Sequence, residues 1–118
     1  MLALPASAQT PSKPAAKSSN PITVNIRTAG ELAEACNASP SGPAEAARLN
    51  FCNGFAQGVI QTERQHANGA KFCFPSPAPK RSETMKEFAA WVGADATRKD
   101  QVASAAFLRF MTGRFPCK

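Results

Sequence analysis

Phe51-Cys52-Asn53-Gly54-Phe55-Ala56-Gln57-Gly58-Val59-Ile60 is the decisive stretch of this chain. Around it Leu49, Cys52, Phe55, Ala56, Val59, Ile60 and Glu63 recur at three- and four-residue steps, the period of one helical face. Pro43 suits the first turn of this helix, and Asn68-Gly69 is expected to end it. Gly54 and Gly58 lie four apart on its flank. Glycine costs about 1 kcal/mol in a helix interior, so a neighbouring backbone is expected to approach closely there.

Upstream, Ile22 to Ile26 alternates and is expected to be extended. Thr28 can then cap a short helix carrying Leu32, Ala35 and Cys36 on one face, broken at Asn37 to Gly42. Downstream, Phe74-Pro75-Ser76-Pro77-Ala78-Pro79 is a stiff surface loop, because its prolines fix φ and remove donors. Ser82 is expected to cap a third helix with Met85, Phe88, Ala89 and Val92 inward and Trp91 at its edge. Thr97 with Asp100 forms an imperfect capping box for a last helix carrying Ala103, Phe107, Phe110 and Met111, which stops at Gly113 and Pro116. The prediction is an all-α, up-and-down domain of about four helices over residues 22–118, with Phe55, Val59, Phe88, Phe107 and Phe110 in its core. There is no internal repeat.

The four cysteines, Cys36, Cys52, Cys73 and Cys117, are spaced as distant staples. No C-x-x-C occurs, so the pattern points to two disulfides and an oxidising compartment, periplasmic or secreted. Residues 1–8 agree: Met1-Leu2-Ala3-Leu4-Pro5 reads as the tail of an apolar signal region, and Ala6-Ser7-Ala8 as its cleavage box. No cysteine follows that box, so a lipid anchor is not suggested, and no apolar run approaches the ~20 residues of a membrane span. Residues 9–21 are mostly Pro, Ser, Ala, Lys and Thr with little to bury, and are expected to be a disordered linker.

Charge is uneven. Residues 1–63 hold four basic and four acidic side chains, whereas residues 64–118 hold ten basic against four acidic, so the whole net charge of +6 belongs to the second half. An acidic partner protein, an anionic membrane surface or an anionic wall polymer would be attracted to it. Nucleic acid is not indicated, because the cations are scattered and tyrosine is absent.

Catalytic and metal readings are weak. His66, the single histidine, falls in the polar end of the second helix. A zinc set of Cys36, Cys52, His66 and Cys73 would need gaps of fifteen, thirteen and six residues, with no short knuckle. No Gly-x-Ser-x-Gly, C-x-x-C-H, phosphate-cradling loop or apolar carboxylate pair is present. No cofactor is implied, and a non-enzymatic protein is expected.

The order of a helix-ending Cys36, Phe51-Cys52-Asn53-Gly54-Phe55-Ala56-Gln57-Gly58, Cys73-Phe74-Pro75 and Phe115-Pro116-Cys117 resembles the Rap/Tai-type immunity family, whose members carry a similar Phe-Cys-x-Gly-Tyr-x-x-Gly helix, a Cys-x-Pro and a closing Phe-Pro-Cys. Phe55 stands at the tyrosine. The resemblance spans about Ala29 to Cys117. It implies a small periplasmic helical protein, often a homodimer, that binds and blocks a peptidoglycan amidase delivered by type VI secretion. The alternative is an exported helical binding or structural protein of the envelope, chaperone-like and without a toxin partner.

Two expectations complete the reading. If the second helix runs down from Cys52, an upward first helix ends near its top, and the fourth helix descends towards Cys73, so Cys36 pairs with Cys52 and Cys73 with Cys117. On the basic half, Lys80, Arg81, Lys86 and Trp91 supply cations and one aromatic anchor suited to a protein-binding surface.

Overall fold

A computed structural model of the chain describes residues 22–66 and 68–118. Four helices follow one another: α1 (Ala29–Cys36), α2 (Pro43–Arg64), α3 (Arg81–Gly93) and α4 (Ala103–Arg114). Among the described residues there is no regular strand, only two isolated antiparallel bridges, Thr28 with Val102 and Phe72 with Pro116. The all-α domain with two disulfides is as expected. The signal remnant of residues 1–8 and the linker of 9–21 lie outside the described residues.

Helix α1 is the hub, packing against α2, α3 and α4. It buries Ala29, Leu32, Ala33, Ala35 and Cys36, five of eight residues, so small side chains let three helices close on it. Its start is a complete capping box. Glu31 N–H donates to Thr28 Oγ1 (3.2 Å), and the N–H groups of Arg27 and Thr28 donate to Glu31 Oε1 at 2.7 and 3.1 Å.

The start of α4 is solved differently from the prediction. Val102 occupies its N-cap with no side-chain bond. Ala103 N–H donates to Arg27 O (2.9 Å), and Ala29 N–H donates to Gln101 O (2.8 Å), so the two helix starts satisfy each other through backbone. Thr97 is drawn away instead, donating from N–H and hydroxyl to Asp95 Oδ1 at 2.9 and 2.7 Å. Asp95 is accordingly held below its ordinary value of 3.8 by the Thr97 N–H first and its hydroxyl second.

Close backbone approach also occurs elsewhere than expected. Gly54 and Gly58 are exposed, and a Cβ on either would meet nothing within 4 Å. The glycine that touches a neighbour is Gly30: its N–H donates to Lys99 O at 2.9 Å, and a Cβ there would lie 3.2 Å from that oxygen.

Helix α3 begins at Arg81 rather than after a Ser82 cap, with Lys80 extended at φ −68°, ψ 142° and no side-chain bond. Lys80, directly after Pro79, is the extended N-cap residue from which the first turn starts. Helix α2 ends at Arg64, before Asn68-Gly69; Gly69, at φ +77°, serves the turn beyond. Residues 22–26 join no strand.

The core centres on Phe88, whose ring meets Phe107 at 5.5 Å and Phe110 at 5.6 Å, both edge-on or nearly so. Phe88, Phe107 and Phe110 are buried as predicted. Phe55 and Val59 are half-buried against this cluster, because α2 overhangs it. A second aromatic group, Phe72, Phe74 and Phe115, closes the other end. Both disulfides pair as the helix directions required: Cys36 with Cys52 (Cα separation 5.2 Å) and Cys73 with Cys117 (4.9 Å). Closing loops of 16 and 44 residues contributes about 3 and 4 kcal/mol in the chain-entropy account.

Candidate functional site

The surface is built from what the core leaves over on α2, α3 and α4. Helix α3 turns Thr84, Met85, Phe88, Ala89 and Val92 inward, so Lys80, Arg81 and Lys86 are forced outward. Lys80 sits at the head of the helix. Arg81, in the first turn, reaches across to α2, where its Nη1 donates to Gln57 Oε1 at 3.4 Å. Lys86 lies on a different side, beside Ser82, Asn53 and the Cys36–Cys52 disulfide.

Trp91 stands ten residues beyond Arg81, about 15 Å along the axis. Its ring packs at 6.2 Å on Phe88 and 5.8 Å on Phe110, which makes it the half-buried edge of the core. Arg98 covers its outer face with the guanidinium 3.9 Å from the ring centroid. That guanidinium also donates to Trp91 O at 2.6 Å and lies 3.8 Å from Asp95. Arg109 approaches the same ring at 5.8 Å and bonds Gln101. The structure therefore brings Lys80 and Arg81 together at the head of α3, and sets Lys86 and Trp91 on separate flanks.

Sequence reading passed over Arg64, Gln57, Arg98 and Arg109, which shape this surface. The seven-residue step from Trp91 to Arg98 was the available signal, hidden because α3 ends between them at Gly93. Arg64 projects over the Phe74 ring at 5.8 Å, joining the end of α2 to the prolyl loop. Below it Glu63 is buried on α2 and lies 3.7 Å from His66 Nε2, an ion pair only when the imidazole is protonated. His66 itself is exposed.

Chemically, the arrangement offers recognition. Among the described residues no group of three or more His, Cys, Asp or Glu side chains could hold a metal ion, and the four cysteines are all paired. No described helix is long and apolar enough to cross a membrane. A family model described as Rap1a immunity proteins matches residues 28–117, from the Thr28 cap to the last disulfide cysteine. No curated protein and no solved structure matches the chain.

Proposed function

The chain belongs to the Rap1a immunity protein family, and from that premise we propose that it neutralises a secreted effector, a peptidoglycan amidase, by binding over its active-site cleft without chemistry of its own. The observation that carries this is the family match across the whole of the four-helix domain. Two disulfides suit the oxidising compartment where such an effector acts, the periplasm, and there the chain would begin at Gln9 after cleavage behind Ala8. Residues 22–118 are then the binding unit.

Recognition is assigned to the basic second half, with Lys80 and Arg81 leading and Lys86 and Trp91 flanking. Four of the ten cations there are fastened down: Arg98 and Arg109 on Trp91, and Arg114 on Glu87 and Lys99 on Asp100 as ion pairs. Lys80, Arg81 and Lys86 make no ion pair among the described residues. Such cations speed encounter with an acidic partner and set its orientation.

The test is inhibition of an amidase encoded beside this gene. The mature protein at stoichiometric amount is expected to stop cleavage of peptidoglycan. Reversing Lys80, Arg81 and Lys86 to glutamate together should weaken the complex more at low salt than at high salt, with helicity unchanged. Full amidase activity in the presence of excess protein would refute the reading.

A further inference from the structure

The strongest unassigned feature is a cleft between α2, the prolyl loop and the head of α3. Its floor is apolar, formed by Ala56 and Ile60 of α2, Met85 of α3 and Phe107 of α4, and its volume is about 200 Å³. That is room for one large side chain, and less than a drug-sized ligand or a long acyl chain fills. Arg64 and Arg81 stand on either side, one over Phe74 and the other on Gln57. Neither makes an ion pair among the described residues.

Two further observations point to a ligand. Thr84 lines the same cleft and is 4% exposed. The hydroxyls of Thr62 and Thr112 donate to the carbonyl four residues back at 2.8 Å, but among the described residues the Thr84 hydroxyl makes no hydrogen bond. The hydroxyl is not sealed in, since among the described residues the one buried side-chain polar atom without a partner is Arg98 Nε; it opens into the cleft, where it can bond a polar group brought from outside. In addition, the head of α3 has no side-chain cap, so its first N–H groups add positive potential at the cleft mouth. Glu83, the acid of that turn, lies about 100° around the helix from Thr84 and about 160° from Met85, and it does not line the cleft.

From this geometry we infer that the cleft receives an acidic segment of the partner protein: an aromatic or large aliphatic side chain on the Ile60–Met85–Phe107 floor, and the neighbouring Asp or Glu carboxylate held between Arg64 and Arg81. Thr84 bonds the backbone of the inserted residue. Charge complementarity selects this occupant, because the site joins apolar depth to two cations without acids of their own. The inference rests on the proposed role as a protein-binding inhibitor and names where the partner is gripped.

A probe independent of any effector tests it. Isotope-labelled protein, in its disulfide-bonded full-length form, is titrated with the blocked dipeptide acetyl-Phe-Asp-amide, with acetyl-Phe-Asn-amide and with laurate, and followed by nuclear magnetic resonance. The expected result is saturable shifts at Ile60, Thr84 and Met85 and at the Nε–H groups of Arg64 and Arg81. Binding should weaken about fivefold for the Asn peptide and for Arg81→Gln or Arg64→Gln. Thr84→Val, which keeps the shape, should lower affinity for the acidic peptide while leaving the melting temperature within a few degrees. Equal binding of both peptides, tighter binding of laurate, or shifts confined to the Lys86 side would each overturn the assignment. If the dipeptide does not bind while an adjacent amidase is still inhibited, the cleft assignment falls and the inhibitor reading stands; a bound dipeptide without inhibition gives the reverse.

Discussion

Helices α1 and α2 use their surfaces in opposite ways. Helix α1 buries five of eight residues and touches each of the other helices; α2 buries Cys52, Ala56, Ile60 and Glu63 out of 22. The short helix is consumed by the fold, whereas the long one is anchored by one stripe and leaves most of its length available. Structure is thus concentrated where the chain is least conspicuous, and surface is kept on its most regular element.

The largest effect that can break this contrast is truncation. Leu32→Ala in α1 removes a fully buried side chain and should cost about 2–5 kcal/mol, whereas Val59→Ala on the half-buried flank of α2 should cost about 1 kcal/mol. Denaturant unfolding of the two variants measures the gap. Equal losses would show that α2 is as deeply integrated as α1.

The glycines sharpen the comparison with a change of sign. Gly54→Ala and Gly58→Ala lie in an open helix interior and should each stabilise the protein by about 1 kcal/mol. Gly30→Ala places a Cβ 3.2 Å from Lys99 O, which cannot retreat without lengthening the bond from Gly30 N–H, so it should lower the melting temperature. A stabilising Gly30→Ala would mean that the 97–101 turn sits loosely on α1.

The smallest effect is a pH dependence at the same α1 junction. The N–H groups of Arg27 first and Thr28 second hold the Glu31 carboxyl below its ordinary value of 4.5. A depressed folded-state pKa gives stability that is fully present above about pH 4.5 and is lost as pH falls through the depressed value. Melting temperatures between pH 6 and pH 3 should therefore drop less steeply for Glu31→Gln than for the unmodified protein. Parallel curves would remove Glu31 from the acid response.

Much of this molecule was legible beforehand. The three- and four-residue recurrence from Leu49 to Glu63, Pro43 at a first turn and Thr28 as a helix cap are local signals, and each appears as read. Pairing of Cys36 with Cys52 followed from helix direction. The α4 start was misread because Thr97 looks like a cap in isolation, while the partner that satisfies Ala103 N–H is a carbonyl 76 residues earlier, on Arg27. Gly54 and Gly58 were misread for the converse reason: glycine spacing does not say whether a neighbour exists. Of the cleft only Arg81 was singled out for binding, while its floor residues Ala56, Ile60, Met85 and Phe107 were read as inward helix faces. Arg64 and Thr84 looked ordinary, one a helix-end cation and the other a residue inside an amphipathic turn.

By itself the sequence determined the helices, the phenylalanine core and the cysteine staples, because periodicity, prolines and loop lengths act over a few residues or constrain the chain's direction. Only the tertiary structure decided that α1 is the hub, that two helix starts satisfy each other through backbone, and that Arg64, Arg81 and Thr84 border one cleft. Those are meetings of residues far apart in the chain, created when buried faces choose their neighbours, and no local pattern encodes which neighbour is chosen.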